Sequence, residues 1–240
     1  MKSATGTDCL LLIVARAPIP GCTKTRLGQS IGMERAALLH RAFLTDLAER
    51  FAPPVANGAP GFDFGWAYAP AEYDFRALMR ELDPMTGLRP VQYVPQSEGD
   101  FAERLTNLFH WSANKGYLRT LILASDSPHL GAEVIPSGFD LLAGHDVVLG
   151  RVADGGYYVI GMRGVHDVIS PSVMSTSDAA SDPIAGAKAL GLRVGELPAT
   201  FDVDTEADLR ALITLLEEDP TAAPATGAAL SRMGMVAVRS

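Results

Sequence analysis

Short apolar runs alternate with amphipathic stretches along most of this chain, and that alternation is the tightest constraint on its fold. Leu10-Leu11-Leu12-Ile13-Val14-Ala15 is a continuous apolar run, as expected of a strand covered on both faces. From Glu34 to Phe51 the apolar residues Leu39, Phe43, Leu47 and Phe51 recur every four positions, which is a helical stripe. Phe64 to Ala69 reads as a strand, Tyr73 to Leu82 as a helix and Val91 to Val94 as a short strand. Asp100 to Lys115 reads as a helix with Phe101, Leu105, Leu108 and Trp111 on one face. Asp100 and Glu103 form a capping-box start for it. Thr120 to Ala124 is another buried strand, followed by a helix around Glu133 to Leu142. Strands are expected at Asp146 to Leu149 and Tyr157 to Met162, and the short segment between them lets the two pair antiparallel. A helix near Asp182 to Leu190, a strand at Leu192 to Leu197 and a helix from Thr205 to Leu216 complete the pattern. This order predicts an α/β fold: a mostly parallel central sheet, helices on both faces and a late antiparallel strand pair. At 240 residues such a chain buries its core without disulfides or metals as staples. One domain is expected over residues 1–216, with 217–240 as a tail or appendage.

Charge narrows the partners. The net charge is −8, which argues against nucleic acid as the main partner. The total hides an asymmetry. The first fifty residues carry seven basic and four acidic side chains, and the excess of acid lies entirely in the remainder. Lys24 is one of only four lysines and sits in a Pro/Gly loop after the first apolar run. The longest clean apolar run, Cys9 to Ala15, is far short of the roughly twenty residues of a membrane span. A signal peptide ending at Ala15-Arg16-Ala17 is the weaker reading of that run, and a buried first strand the better one. Cys9 and Cys22 make no disulfide framework and have no zinc-ligand spacing around them, so Cys9 is expected in the core and the chain in the cytoplasm.

In open α/β sheets ligands bind beyond the carboxyl ends of the strands, and four polar segments fall there. The first, Ala15 to Leu27, is a loop stiffened by Pro18 and Pro20 and followed by Gly21, Lys24 and Arg26. Backbone N–H groups near a glycine, with a Lys and an Arg, suit phosphate oxygens. A solvated basic loop is the alternative. The loop is not a Walker A motif, and no G-x-G-x-x-G follows the strand. The second, Ser125-Asp126-Ser127-Pro128-His129, places an acid at the end of a buried strand, where it serves either as a ligand for Mg²⁺ or Mn²⁺ or as a helix cap. His129 reads as a loop histidine. The third, Asp154-Gly155-Gly156-Tyr157-Tyr158, combines an acid with two glycines that permit close backbone approach, or is simply a hairpin turn. The fourth, Phe201 to Leu209, puts Asp202 and Asp204 on one side of an extended stretch. They share a cation, or Asp204 caps the last helix. Gly28-Gln29-Ser30-Ile31-Gly32 matches the G-x-S-x-G nucleophile elbow, but no strand runs into its serine, so a serine hydrolase is not expected.

With these segments in view the chain resembles the bacterial glycosyltransferase-like proteins of domain family 2064 (DUF2064), within the nucleotide-diphospho-sugar transferase (GT-A) superfamily. The likeness runs from about Leu10 to Leu212. It rests on Ala17-Pro18-Ile19-Pro20-Gly21 with Lys24-Thr25-Arg26-Leu27, Gly99-Asp100 with Glu103-Arg104-Leu105, Ser125-Asp126-Ser127-Pro128, Asp154-Gly155-Gly156-Tyr157-Tyr158, and Asp202-Val203-Asp204-Thr205. A more distant likeness is to guanylyltransferases that activate phospholactate and to molybdenum-cofactor nucleotidyltransferases. The resemblance implies a Rossmann-like GT-A domain that binds a nucleotide through Ala17, Pro18, Gly21, Lys24, Arg26, Gly99, Asp100 and Arg104. It implies Mg²⁺ or Mn²⁺ on Asp126 and Asp204, or Asp202. Asp154 would stand on the acceptor side, as general base or to orient the acceptor hydroxyl, with Lys24 as the other catalytic residue and Gly155, Gly156, Tyr157, Ser175 and Thr176 beside it. Pro128 stands where a GT-A Asp-x-Asp would place its second acid, Met174 replaces a tryptophan, and Ala102 replaces a glycine. The implied function is transfer from a nucleoside diphosphate sugar to a small acceptor. The alternatives are nucleotidyl transfer from an NTP and a non-catalytic nucleotide-binding module.

Overall fold

The leading apolar run forms β1 (Cys9–Arg16), a strand of the sheet interior flanked on both sides in parallel by β2 (Asp63–Ala69) and β4 (Arg119–Ala124). The computed structural model describes residues 7–52, 61–85, 90–153, 155–169 and 183–236. After β1 come α1 (Thr25–Ile31) and α2 (Met33–Phe51). They are followed by β2, α3 (Phe75–Leu82), β3 (Val91–Pro95), α4 (Phe101–Asn114) and β4. The second half holds α5 (Val134–Gly144), β5 (Val147–Val152), β6 (Tyr157–Arg163), α6 (Pro183–Ala189), β7 (Val194–Thr200), α7 (Glu206–Glu218) and α8 (Pro224–Arg232).

The seven strands form one sheet in the order β3-β2-β1-β4-β6-β5-β7. Six run parallel. β6 alone is reversed and pairs antiparallel with both β4 and β5. The expected β5–β6 hairpin is therefore present, and its returning strand is inserted between β4 and β5. Strand β1 shows why its sequence is apolar throughout. Leu11, Ile13 and Ala15 pack on one face with Leu44, Leu47, Phe75, Ile135 and Phe139 from α2, α3 and α5. Leu10 and Leu12 pack on the other with Leu105, Leu108, Ile184 and Ala187 from α4 and α6. Successive side chains alternate across the sheet, so both registers must be apolar when both faces are covered. Cys9 lies in this core, as expected.

A third apolar cluster joins Leu27, Leu39, Phe43, Leu209, Leu212, Leu216 and Leu230 from α1, α2, α7 and α8. Two elements in it have no counterpart in the sequence reading. Helix α1 lies where a loop is expected, and it turns into α2 at Gly32, whose φ of 93° only glycine adopts easily. Helix α8 lies in the expected tail. The buried Asp46 of α2 accepts hydrogen bonds from Ala225 N (2.8 Å), Thr226 N (2.9 Å) and Thr226 Oγ1 (2.6 Å) at its first turn. Arg50, one turn further along α2, donates to the carbonyls of Ala222 and Pro128. That places the 217–236 stretch against the body of the domain.

Candidate active site

The carboxyl ends of β1, β3 and β4 open onto a cleft of about 340 Å³. It is lined by Arg16, Lys24, Arg26, His40, Gln96, Phe101, Arg104, Ser125, Asp126 and Asp204, among others. Five expected site residues meet here: Lys24, Arg26, Arg104, Asp126 and Asp204. They come from four separate stretches of chain, and the connections that gather them are specific. Val203 N donates to Asp126 O at 2.9 Å, and Ser127 Oγ donates to Phe201 O at 2.8 Å. These two bonds clip the loop after β4 to the segment before α7 and set Asp126 beside Asp204.

Asp204 is not the cap of α7. Thr205 takes that position, in a capping box with Asp208. The carboxylate of Asp204 is thereby left to turn to Lys24. The Lys24 ammonium donates to Asp204 Oδ1 at 2.8 Å and contacts Asp126 Oδ1 as well. The Lys24 side chain is 4% exposed, whereas the two carboxylates are 35% and 37% exposed toward the cleft. Lys24 is also the only non-glycine at positive φ among the described residues, at 48°. Left-handed backbone costs an L-residue about 1–2 kcal/mol, so the surroundings must hold it there. Burial works against the charge on Lys24, but the two carboxylates outweigh it and hold the ammonium above its ordinary range. Burial likewise works against the charge of Asp126, and Lys24 beside it holds the carboxyl below the usual range. Arg26 is largely exposed, with Nη1 3.9 Å from Asp204 Oδ2.

Four residues of the cleft escaped the sequence reading. Arg16 ends β1 and Gln96 follows β3 directly, so the strand-end rule that picked out Asp126 reaches both. His40 is set by helix packing, which no local motif signals, and Phe101, expected on the apolar stripe of α4, is instead exposed at its first turn. His40 is 2% exposed, and its Nε2 donates to Arg16 O at 3.1 Å, which fixes the tautomer. Its Nδ1 is buried without a partner. Burial, with Lys24 nearby, holds its pKa down to about 4, so the ring is neutral. Gln96 is anchored by Nε2 donating to Ala67 O at 2.9 Å. Phe101 stands at the lip, 51% exposed, with the Arg104 guanidinium 5.9 Å from its ring.

Other expected residues sit around the cleft without lining it. Ala17 is buried and its N–H donates to Ala69 O, and Gly21 turns the loop at a φ of 77°. The Asp100 carboxylate caps α4 in a capping box with Glu103, as the sequence predicts, and Gly99 O accepts from Arg104. Tyr157 opens β6 with its ring 6.4 Å from that of Phe101. Gly155 and Gly156 precede it. Asp154, Ser175 and Thr176 lie outside the described residues. Asp204, and not Asp202, is the cleft-lining acid of its pair. His129 faces away, stacked on Phe201 and bonded to Thr200 Oγ1. Ser30 lies inside α1, not on a strand-to-helix turn, which removes the nucleophile-elbow geometry.

The donor set fits a divalent cation of the hard, oxygen-seeking kind. Asp126 and Asp204 point one oxygen each at a single cationic centre. No group of three or more His, Cys, Asp or Glu side chains is placed for a metal among the described residues. An ion here would complete its shell with phosphate oxygens and water, as Mg²⁺ commonly does.

The family described as "Uncharacterized protein conserved in bacteria (DUF2064)" has a model that matches residues 70–176. It is the family that the motifs resemble. The DUF2064 match holds three of the motifs, at Gly99–Arg104, Ser125–Pro128 and 154–158, while Lys24 and Asp204 lie outside it. A protein of Desulfovibrio desulfuricans G20, provisionally assigned as a nucleotide-diphospho-sugar transferase, shares the fold at TM-score 0.78 and 27% identity. The likeness covers 94% of this chain and 95% of that one. The 4-diphosphocytidyl-2C-methyl-D-erythritol synthase of Anaerococcus prevotii DSM 20548 superposes at TM-score 0.57 with 9% identity, covering 88% and 97% of the two chains. A CMP:2-keto-3-deoxy-manno-octonic acid synthetase complexed with CTP gives TM-score 0.51 and 12% identity, over 88% and 99%. At those identities the last two likenesses show a shared fold. No curated protein matches the chain.

Proposed function

We propose that this chain is a transferase acting on an activated nucleotide, with Mg²⁺ or Mn²⁺ held by Asp126 and Asp204. One observation carries the reading. In a chain of net charge −8, the cleft gathers four cations, Arg16, Lys24, Arg26 and Arg104, against two carboxylates. A positive cleft on an acidic protein calls for an anionic ligand. Guanidinium groups at its rim suit phosphate oxygens, which they bind through paired, charge-assisted hydrogen bonds. Bound there, the metal would offset charge developing on the departing phosphate.

The chain's own residues do the rest. Arg26 and Arg16, both exposed at the mouth, draw in and orient the phosphates. Lys24 adds a third positive charge from below. Phe101 and the Arg104 guanidinium over it offer a flat surface to a base or sugar ring. Gln96, fixed through its amide, lines the cleft beside them. Asp154, with Gly155, Gly156, Tyr157, Ser175 and Thr176, forms the acceptor side in this reading, with Asp154 taking the acceptor's proton.

Glycosyl transfer from a nucleoside diphosphate sugar is the first reading, supported by the likeness to the Desulfovibrio protein. Nucleotidyl transfer from an NTP is the second. The four cleft cations and the proline at 128, in place of a second acid, favour it. The fold likeness to two synthetases named for cytidylyl products agrees with it. A cytoplasmic setting accords with free Cys9 and Cys22. Among the described residues no helix is long and apolar enough to cross a membrane.

Product analysis separates the readings. With labelled nucleotide sugars and a set of small acceptors, glycosyl transfer releases a nucleoside diphosphate. With labelled NTPs, nucleotidyl transfer releases pyrophosphate. Nucleotide binding with neither product would leave a binding module. Asp126→Ala is expected to abolish the Mn²⁺-dependent part of the thermal shift that nucleotides produce; an unchanged shift would remove Asp126 from the site.

A further inference from the structure

We propose that Lys24 is the resident counter-ion of the cation site: its ammonium occupies the position a divalent ion takes between Asp126 and Asp204, and it must leave before that ion enters. The inference rests on the metal-site reading above and concerns what Lys24 does there before any ligand arrives.

Three features carry it. First, the ammonium contacts Oδ1 of both Asp126 and Asp204, so the two acids already converge on one positive centre. A divalent ion held by Asp126 and Asp204 through these oxygens would need the space the ammonium fills. Secondly, like charges a few ångströms apart repel strongly where water is scarce, and the Lys24 side chain is almost wholly buried. Ammonium and divalent ion therefore exclude each other. Thirdly, Lys24 lines the cleft and carries a backbone at φ 48° just before α1. Its side chain has the cleft, with Arg16 and Arg26 at the mouth, as its way out.

The arrangement solves a specific problem. Two adjacent carboxylates left without a cation would repel each other. Lys24 keeps the two carboxylates aligned while the site waits. The same arrangement makes the bare site a weak metal site, because binding must break two ion pairs. A polyphosphate changes the balance by giving the displaced ammonium a new anionic partner. Metal and phosphate then favour each other's binding, as any shared displaced group requires.

The test uses Mn²⁺ alone, titrated into the full chain and followed by the electron paramagnetic resonance signal of the free ion. Lys24→Met keeps the length of the side chain and removes its charge. It is expected to bind Mn²⁺ at least tenfold more tightly than the wild type, and Asp126→Asn in the same background is expected to remove the gain. Amine acylation read by mass spectrometry gives a second measure on the unaltered protein, should Lys24→Met fail to fold. Lys24 is expected to be protected without metal and to acylate several-fold faster once Mn²⁺ is bound, with Lys115 and Lys188 as internal references. Mn²⁺ affinity equal or weaker in Lys24→Met, or Lys24 acylation unmoved by bound Mn²⁺, overturns the inference and leaves the metal site standing. Absence of Mn²⁺ binding in every form overturns both.

Discussion

His40 shows at a single residue how burial sets chemistry. It is enclosed beside a lysine and has one ring nitrogen committed to a carbonyl and the other without a partner. Its folded pKa of about 4 lies below the ordinary 6.5. The unfolded chain therefore takes up a proton first as pH falls, and stability drops between about pH 6.5 and 4, approaching 1.4 kcal/mol per pH unit for this group. His129, also held down to about 4, adds to the same acid limb. Urea unfolding of His40→Gln at several pH values below 7 is expected to show a flatter limb than the wild type, and an equal slope would remove His40 as a cause. Ser30 gives the opposite case. Its motif suggests a nucleophile, but it lies exposed within α1. Ser30→Ala is expected to leave nucleotide binding and turnover unchanged.

Helix α8 is held less by its own sequence than by α2. Asp46 serves its first turn as a cap supplied from another element, and this is why the helix begins at Pro224 although Ala223 offers no capping side chain. Asp46→Ala leaves two backbone N–H groups and the Thr226 hydroxyl without their acceptor in a buried place. The expected cost is about 2 kcal/mol or more. Urea denaturation measures it, and hydrogen exchange should place the loosened amides in α8. Exchange that instead rises evenly across the sheet would show that Asp46 supports the whole domain. The elements legible in the sequence, β1 and then α2 through α7, are those with an apolar period or an unbroken apolar run. The two that were not, α1 and α8, are short. Their apolar residues, Leu27 and Leu230, become meaningful only beside Phe43, Leu39 and Leu212.

For the molecule as a whole, charge is divided by place. An acidic body surrounds a cleft with more cations than carboxylates. Nucleotide affinity is therefore expected to fall several-fold as added salt shortens the Debye length from about 10 Å to 3 Å. Arg26→Ala, at the open mouth, is expected to weaken binding and flatten that dependence. A salt-independent affinity, measured by calorimetry, would show that the rim charges do not meet the ligand. The parallel order of the sheet and its carboxyl-end cleft follow from alternation of strand and helix, and so they were readable at the start. The reversal at β5 and β6 was readable too, from the short connection between them, although the insertion of β6 beside β4 was not.

What the sequence determined by itself is every element but α1 and α8, and the candidates at strand ends, because period, apolar runs and strand-end position are local properties. Lys24, Arg26, Asp126 and Asp204 were visible as residue types in the strand-end segments, and Arg104 through the family resemblance. Only the tertiary structure decided their relations. It took the cap of α7 from Asp204 and gave it to Thr205, buried Lys24 between two acids from distant segments, and brought His40 and Gln96 to the same cleft. Which oxygen meets which ammonium depends on backbone bonds such as Val203 N to Asp126 O, which join residues 77 positions apart. Ion pairing falls off over a few ångströms, and no local pattern reports a distance of that kind.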